Sequence, residues 1–411
     1  MDSAERHIRV DEALAEFLAP IKPVSAEYED VLSSLNRILA EDVVSKLDVP
    51  SRPRSTRDGY ALKSSSLGEA GSRLKIIGDV RIGISPKIVV RSGETVRIAT
   101  GSYVPTGADA VVMKEYAEAA GEELIVNRPV KTGENILSPG EDISRNSTVM
   151  RSGEPMRPHH IALLTQIGAK RLRVFRRPRI AFFSTGDELV DARARRSSKD
   201  PKIYDISRPF IQSMIEELGA SPVDLGIARD EYGEIRKRMI LGLKSDALLL
   251  TAGSSVGERD FVSKAAASIS GVKILAHGVA MRPSSPTGLC IYKGRPLIML
   301  PGFPTSTMIS FFVFAVPAIL RLSGAKNTST PMIKARLLDD YGGKKGIRHY
   351  VRVCVEREGQ EYTARIATPT EAQYTSWMKN ANGIAVIGEE AVPVRANDIV
   401  DVFLIASIRQ V

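Results

Sequence analysis

The sequence predicts a multidomain α/β plus β protein, with a central parallel-sheet α/β domain and small domains made mostly of β-strands. Between residues 178 and 326, near-continuous apolar runs alternate with amphipathic helical periods, a pattern typical of parallel strands covered by helices on both faces. Residues 46–140 and 327–411 instead show short alternating strands separated by glycine. A chain of 411 residues also exceeds what one hydrophobic core usually supports.

The N-terminal residues predict helices. Apolar residues recur at helical spacing around Phe17, again from Val31 to Leu39, and once more in HHIALLTQIG from His159. Both flanks of the first β domain are therefore helical. We expect residues 1–45 and 141–177 to form one discontinuous helical or mixed domain.

The strands of the other domains are predicted from short apolar runs. The first β domain contains KIIGDVRIG, KIVVRSGETVRIATGS and ADAVVMKE, and the last contains MIKARLLD, RHYVRVCVE, YTARIA, GIAVIG and DIVDVFLIA. In the central domain the apolar strands are IAFFS, ALLLT, KILAH and PLIML, with helices at FIQSMIEELG and EIRKRMILGL. The predicted domain boundaries are thus 46–140, 178–326 and 327–411.

Composition excludes several classes of protein. The net charge of +9 favours anionic partners, but aromatic residues make up only 6% of the chain and no nucleic-acid motif is present. Cys290 and Cys354 are isolated, which argues against disulfides and zinc sites. No run approaches about 18 consecutive apolar residues, and the acidic, amphipathic start does not resemble a signal peptide. We expect a cytoplasmic protein that binds neither nucleic acid nor membrane.

Loops that combine small residues with carboxylates follow the predicted central strands. They are STGDEL after IAFFS, TAGSSVGERD after ALLLT, and LPGFPTS after PLIM. Ligands of parallel sheets bind at the carboxyl ends of the strands. In STGDEL, Ser184 and Thr185 offer hydroxyls, and Gly186 permits close approach of a ligand. Asp187 and Glu188 could orient a metal or bind the hydrogen-bond donors of a heterocycle.

The second loop has the composition of a phosphate site. Gly253, Ser255 and Gly257 could present backbone N–H groups to a phosphate at the start of the next helix, with Asp260 facing it. A carboxylate beside a phosphate implies a divalent cation, and Asp230 in GIARDE is a further candidate ligand. Each of these residues could instead cap a helix. Their recurrence at one predicted sheet edge favours a ligand site.

A second set of polar residues lies outside the central domain. SRPRSTRDGYA places three arginines around Asp58, and GENILSPGEDI brings Asp142 just before a helical segment. The alternative interpretation is that these are acidic residues of turns that form ion pairs with arginines at the protein surface. Spacing alone does not connect them to the sheet.

Seven segments match motifs of one known family in order and spacing. DVPSRPRSTRDGYAL resembles DVPxFxxSxMDGYAV, RIATGSYVPTGADAVVMKE resembles RIxTGAxxPxGADAVVxxE, and ENILSPGEDI resembles NxRxxGEDI. FFSTGDELV, GIARDE, TAGSSVGERD and LPGFPTS resemble STGDEL, GIxxDD, TGGVSVGxxD and LPGNPVS. The chain thereby resembles the molybdopterin molybdotransferases, which include the bacterial enzyme and the E domains of gephyrin-type proteins.

The resemblance implies an elongated, four-domain homodimer whose α/β domain binds adenylylated molybdopterin as substrate. With Mg²⁺ or another divalent cation, such proteins cleave the nucleotide, insert molybdate or tungstate into the dithiolene and release AMP. Asp58 would act in the partner subunit's site. The motifs place the following residues in the pterin-nucleotide and metal region: Thr100, Asp142, Glu188, Asp230 and Asp260, of which the last three would bind the metal.

The sequence departs from the family at the implied oxyanion site. The family's KPGKP stands here as RPSSP, so that Arg282 keeps one charge and Ser285 replaces the second lysine. LPGNPVS has Phe303 in place of Asn, and a serine expected before the ANG of residues 381–383 is Trp377. The residues that remain to bind the oxyanion are Arg282, Ser285, Ser306, Arg352 and Ser376. An alternative function is therefore a non-catalytic carrier or scaffold with the same fold.

Overall fold

The computed structural model describes residues 7–68, 70–195, 197, 201–252 and 261–410. By packing, the chain divides into a larger unit, which comprises residues up to 40, 153–157 and from 173 onward, and a smaller unit of residues 41–152 and 158–172. The helices are α1 Val10–Leu18, α2 Pro158–Gln166, α3 Ser207–Glu217, α4 Tyr232–Gly242, α5 Phe261–Ala267, α6 Pro304–Ser310 and α7 Val316–Leu322.

The first twelve strands are β1 Ala26–Asp30, β2 Val43–Val44, β3 Arg54–Ser55, β4 Gly59–Leu62, β5 Ser72–Val80, β6 Glu94–Ile98, β7 Ala110–Met113, β8 Ala117–Ala120, β9 Glu123–Val126, β10 Ile136–Leu137, β11 Thr148–Met150 and β12 Arg171–Phe175. The next nine are β13 Arg179–Thr185, β14 Leu189–Val190, β15 Ile203–Tyr204, β16 Ser221–Ala228, β17 Ala247–Ala252, β18 Val272–His277, β19 Met281–Arg282, β20 Gly288–Tyr292 and β21 Arg295–Pro301. The last six are β22 Met332–Leu337, β23 Arg348–Glu358, β24 Glu361–Ile366, β25 Gly383–Ile387, β26 Ile399–Leu404 and β27 Arg409–Gln410.

The smaller unit is built on a six-stranded sheet in the order β7-β4-β6-β5-β9-β8. Only the β5–β6 pair is parallel within that sheet. Leu62, Leu74 and Leu124 are buried on it. The small β domain is thus confirmed as a β structure, and α2 confirms the helix predicted at HHIALLTQIG.

The central sheet of the larger unit has the order β16-β13-β17-β21-β20-β18. Its first four strands are parallel, which confirms the parallel part of the prediction. Successive residues of β13 enter different cores: Phe182 packs with α1, α3 and the α6–α7 segment, and Phe183 packs with α4 and α5. Because helices cover both faces, the strands carry apolar residues without alternation.

Two strands of this sheet differ from the prediction. KILAH forms β18, but it pairs antiparallel with β20, a strand that the sequence analysis did not include. β20 and β21 are joined by Lys293 and Gly294, which both have positive φ and pair Tyr292 with Arg295 across the turn. A two-residue hairpin of this kind requires antiparallel neighbours.

The prediction of a helix from Val31 to Leu39 is wrong. The segment contains only a short 3₁₀ turn, Val31–Ser33, which the Asp30 carboxylate caps by accepting from the Leu32 N–H at 2.8 Å. Asn36 then takes a left-handed conformation with φ of 60°. The Asp30 side chain thus binds the local backbone and competes with helix formation, and the left-handed residue Asn36 ends any helical path.

The last β domain closes into a barrel, because β23 pairs with both β24 and β25. β22 and β26 complete the ring, and the five main strands match those predicted from sequence. β19, which leaves the central domain, pairs with the start of β23 and aligns Arg282 with His349. This pairing brings the RPSSP segment beside the barrel.

Among the described residues, one helical segment, Pro304–Leu322, is long and apolar enough by composition to cross a membrane. Most of that segment is buried inside the protein. Its residues Phe311 and Phe314 are fully buried in the core beneath the central sheet. The segment therefore behaves as a core helix.

Candidate functional site

The carboxyl ends of the four parallel strands carry the loops that the sequence analysis selected. β16 ends at Ala228, β13 at Thr185, β17 at Ala252 and β21 at Pro301, so these four strand ends share one edge of the sheet. A cavity of about 460 Å³, here called the sheet-edge cavity, opens there. It is lined by Thr185, Glu188, Leu189, Ile203, Tyr204, Asp205, Ile206, Ser207, Thr251, Gly302, Phe303, Pro304 and Gln373.

The STGDEL loop forms one wall of this cavity. Thr251 donates its hydroxyl to Ser184 Oγ at 2.9 Å, which joins the ends of β13 and β17. Thr185 Oγ1 is buried and has no hydrogen-bond partner among the described residues, so its hydrogen-bonding capacity is not used within them. Gly186 has φ of +154°, and a Cβ there would lie 2.8 Å from a Glu188 carboxylate oxygen.

Asp205 is a polar residue of the cavity that the sequence analysis missed. Its Oδ1 accepts from the N–H groups of Ser207 at 3.0 Å and Arg208 at 3.2 Å, so it caps the start of α3. Oδ2 has no hydrogen-bond partner within the described chain and lies 3.5 Å from Arg208 Nε. An Asp two residues before a helical Ser is a capping signal that could have identified it.

The rim of the sheet-edge cavity is apolar and aromatic. Ile203, Tyr204, Ile206 and Phe303 all remain at least 40% exposed although they are large hydrophobic residues. Exposed apolar side chains around a polar floor are typical of sites for planar ligands. Phe303 is the residue that replaces the family's asparagine.

The carboxylates predicted to bind a metal approach one another only in part. Asp187 accepts a long hydrogen bond of 3.4 Å from the backbone N–H of Asp230, so the STGDEL and GIARDE loops are adjacent. Within the described ranges, no three His, Cys, Asp or Glu side chains are grouped closely enough to hold a metal. Asp260, Gly253, Ser255 and Gly257 lie outside the described residues. Carboxylate oxygens nonetheless suit Mg²⁺, which usually needs only one or two of them beside substrate phosphates.

A second cavity, of about 550 Å³, lies between the RPSSP segment and the last barrel and is here called the arginine cavity. The structure brings Arg282, Ser285, Ser306 and Arg352 together in its lining, as the resemblance implied. The other lining residues are Met281, Pro283, Ser284, Pro286, Tyr341, Gly342, Tyr350, Val351, Thr370, Glu371, Ala372 and Gln373. Gln373 therefore lines both cavities.

Arg352 is the most buried cation of the arginine cavity, with 4% of its surface exposed. It donates to the Pro369 carbonyl at 3.3 Å, but its Nε has no hydrogen-bond partner in the part of the chain described. Burial lowers the pKa of Arg352, and the nearby Tyr341 and Glu371 oppose that shift. A buried guanidinium that lacks one partner is a favourable donor to an anion.

Ser284 lines the arginine cavity, and Trp377 lies beside Arg352 without lining it. Ser284 has φ of +87° and donates its hydroxyl to the Ser306 carbonyl at 2.7 Å. Trp377 is buried, and its ring centre lies 5.5 Å from the Arg352 guanidinium carbon. Ser376 is exposed at the start of a 3₁₀ turn and does not line the cavity.

The smaller unit contains the other residues singled out from sequence. Asp58 Oδ1 accepts from the Thr100 N–H at 2.8 Å and from its hydroxyl at 2.9 Å, which brings the DGYA and ATG motifs together. The backbone hydrogen bond from Thr100 is the main reason that the pKa of Asp58 is lowered. Asp142 is exposed, and its N–H donates to the Val49 carbonyl at 3.1 Å.

Comparison with known proteins covers nearly the whole chain. Residues 8–168 match the MoeA N-terminal region (domain I and II), residues 181–321 match the probable molybdopterin binding domain, and residues 334–405 match the MoeA C-terminal region (domain IV). A molybdopterin molybdenumtransferase of Staphylococcus aureus is 31% identical over 327 residues, which are 78% of this chain and 77% of that protein. A putative molybdopterin biosynthesis protein of Methanocaldococcus jannaschii is 29% identical over 96% of each chain.

Solved structures show the same fold. The crystal structure of a molybdopterin biosynthesis protein, MoeA, from Pyrococcus horikoshii has a TM-score of 0.85 at 26% identity, and the alignment covers 97% of this chain and all of that one. The sequence matches and this structural agreement lead to one assignment. The chain belongs to the MoeA family of molybdopterin molybdenumtransferases, the transferases of molybdenum cofactor biosynthesis.

Proposed function

We propose that this protein inserts molybdate or tungstate into adenylylated molybdopterin and releases AMP. The observation that carries this proposal is the pair of neighbouring cavities that share Gln373. One has a polar floor with an apolar rim, and the other contains two arginines and several serine hydroxyls. Such a pair suits one large heterocyclic substrate and one small oxyanion.

The sheet-edge cavity supports binding of the pterin nucleotide. Thr185 Oγ1 and Asp205 Oδ2 are buried polar atoms without hydrogen-bond partners among the described residues, so a heterocycle that carries N–H groups could satisfy them. The aromatic faces of Tyr204 and Phe303 are exposed at the rim. Planar rings gain stability by stacking on such faces.

The arginine cavity supports binding of a tetrahedral dianion. Arg282 and Arg352 carry two positive charges, and Ser285 and Ser306 add hydroxyl groups. Glu371 contributes one negative charge to the same lining. Charge-assisted hydrogen bonds from guanidinium groups are the strongest contacts that this set can offer to an oxyanion.

We further propose that Glu188, with Asp230 and Asp260, holds Mg²⁺ or a similar cation when substrate binds. The cation would neutralise the pyrophosphate of the substrate. Asp58, Thr100 and Asp142 are proposed to complete the pterin-nucleotide region, with Asp58 acting on the site of a partner subunit in a homodimer. We propose that the protein works in the cytoplasm.

A carrier or scaffold that keeps the cofactor pocket is the second candidate function. Ser285 favours it, because the replaced lysine removes one positive charge from a cavity that already contains Glu371. Such a protein would bind the nucleotide without cleaving it. The two candidates therefore differ in whether AMP appears.

The deciding experiment follows AMP and metallated cofactor during incubation of the purified protein with adenylylated molybdopterin, Mg²⁺ and molybdate or tungstate. We expect AMP release coupled to metal insertion, and Glu188→Gln is expected to lower both by about 100-fold if it binds the cation. Glu217→Gln on the exposed side of α3 is the matched control and is expected to behave as wild type. Tight nucleotide binding without AMP would instead identify a carrier.

A further inference from the structure

A tyrosine–histidine pair, of which the tyrosine lines the arginine cavity, was not among the residues selected from sequence. The Tyr341 hydroxyl lies 3.1 Å from His349 Nδ1, and Tyr341 lines the cavity. His349 is fully buried and lies on β23 opposite Arg282 of β19. The pairing of β19 with β23 therefore holds His349 beside the cavity, and the contact with His349 positions the Tyr341 hydroxyl.

Tyr341 lies near two positively charged side chains. Arg282 and Arg352 both act electrostatically on its hydroxyl group. Burial raises the pKa of Tyr341, and the two arginines oppose that rise. At neutral pH the hydroxyl is thus protonated, and the nearby cations would stabilise the phenolate that forms if the proton leaves.

The environment of His349 permits two arrangements of protons. Its Nε2 lies 3.2 Å from the Lys344 N–H and 3.1 Å from the Lys344 carbonyl oxygen. If Nε2 accepts from the N–H, Nδ1 carries the proton and donates to Tyr341, whose own proton is free to point into the cavity. If Nε2–H donates to the carbonyl, Nδ1 instead accepts the Tyr341 proton.

We propose that Tyr341 is the proton donor to the oxyanion in the arginine cavity, and that His349 is the positioning residue that orients the Tyr341 hydroxyl. This inference rests on the proposed function, because it assigns a residue to the insertion step. The proton on Tyr341 and the two guanidinium groups converge on one cavity. Both kinds of group are needed by an anion that must lose an oxygen.

The chemistry of insertion requires proton transfer to the departing oxygen, which a donor such as Tyr341 can perform. When a dithiol reacts with MO₄²⁻, two S–M bonds form, one M–O bond breaks, and the products are the dithiolate complex of MO₃ with charge −2 and one water. The metal and the sulfurs keep their oxidation states. The departing oxygen must collect two protons before it leaves as water. Tyr341 supplies one of them and then regains a proton from one thiol, while the other thiol supplies the second, so the tyrosine is unchanged after turnover.

The test compares Tyr341→Phe with wild type and with Tyr232→Phe, an exposed control on α4. Turnover is followed as metallated cofactor over a range of pH and oxyanion concentration, and oxyanion binding is measured by calorimetry with tungstate. Because a general acid typically contributes 10²- to 10⁴-fold, Tyr341→Phe is expected to lower kcat by about 100-fold. Its KM and Kd for tungstate are expected to change by less than about threefold.

His349 is tested by substitutions that separate position from packing. His349→Phe is expected to lower kcat as Tyr341→Phe does, whereas His349→Asn, which keeps a hydrogen-bonding atom near Nδ1, should recover part of the rate. Melting temperatures establish that each variant is folded. If the folded Tyr341→Phe protein turns over at the wild-type rate, the assignment of Tyr341 is wrong while the proposed function stands. If wild type itself forms no metallated cofactor, both are wrong.

Discussion

Trp377 donates its indole N–H to Thr305 Oγ1 at 2.9 Å, and this bond joins the last barrel to the first turn of α6. Trp377→Phe keeps a six-membered aromatic ring but removes the N–H donor together with part of the buried indole. We expect the variant to lose about 1–3 kcal/mol of unfolding free energy, because it loses the hydrogen bond and leaves a small cavity. Urea unfolding followed by circular dichroism measures this loss. An unchanged midpoint would show that the bond contributes nothing to stability.

Trp377 should also report on occupancy of the arginine cavity. It is the only tryptophan in the chain, and its ring centre lies 5.5 Å from the Arg352 guanidinium carbon. An oxyanion that binds Arg352 would change the field at the indole, so titration with tungstate is expected to change the fluorescence emission. Arg352→Met should abolish that change. Calorimetric binding without any change in emission would place the anion elsewhere.

Ser285→Lys restores the charge that the family carries at this position. The serine is partly buried and donates its hydroxyl to the Val279 carbonyl at 3.1 Å. A partly exposed charge contributes up to about 1 kcal/mol, so tungstate affinity is expected to rise by about two- to fivefold. The gain should shrink at high salt, because mobile ions screen it. Calorimetry at two ionic strengths tests both expectations, and equal affinities at low salt would contradict them.

Ser284 combines an unfavourable backbone with a favourable hydrogen bond. A left-handed conformation costs a residue with a Cβ about 1–2 kcal/mol, whereas the hydroxyl bond to Ser306 contributes about 1 kcal/mol. Ser284→Ala keeps the cost of the left-handed backbone and loses the hydrogen bond to Ser306. It should therefore be about 1 kcal/mol less stable than wild type. Ser284→Gly should remain within about 1 kcal/mol of wild type. Thermal unfolding of wild type and both variants measures these differences, and a Ser284→Ala protein more stable than Ser284→Gly would contradict them.

Asp246 and Arg176 form a paired ion bridge with both N–O distances at 2.7 Å. Burial of Asp246 opposes its ionisation, but hydrogen bonds from Arg176 and from the Arg179 N–H outweigh burial and lower its pKa. Because the folded-state pKa is the lower one, the bridge stabilises fully above the unfolded carboxyl pKa of about 3.9. Its contribution is lost as pH falls through the folded-state value.

Asp246→Asn is therefore expected to cost about 1–3 kcal/mol at neutral pH, the range for bonds to charged groups. That difference should disappear in strongly acidic solution. Asp401→Asn removes the more exposed pair with Lys334 and is the control, with an expected change below about 0.5 kcal/mol. Urea unfolding at several pH values measures both. A cost for Asp246→Asn that does not depend on pH would exclude this linkage.

The elements that were predicted correctly are those whose burial is evident from the local sequence pattern. β13, β17 and β21 are buried on both faces, so each is a continuous apolar run that needs no further information. Val31–Leu39 was predicted wrongly because its apolar spacing is helical while Asp30 and Asn36 favour turns. Among the apolar residues at that spacing, Val31 and Leu39 are buried, whereas Leu32 and Leu35 are exposed.

Local sequence patterns could not have predicted which residues line the arginine cavity. Arg282 and Arg352 are 70 positions apart, and the short strand β19 that brings them together has no sequence signal of its own. Their proximity was implied only by the family resemblance. Tyr341 and His349 were missed for the same reason, since they meet across a turn whose shape the sequence does not specify.

Gln373 is a wall of both cavities, and a shared wall has a thermodynamic meaning. If the nucleotide in the sheet-edge cavity shifts this residue, it changes the free energy with which the arginine cavity holds its anion. Coupling between binding sites is reciprocal, so the anion must change nucleotide affinity by the same factor, commonly 1–3 kcal/mol or about 5- to 150-fold. Each ligand would then raise or lower the affinity of the protein for the other before any bond between the two ligands forms.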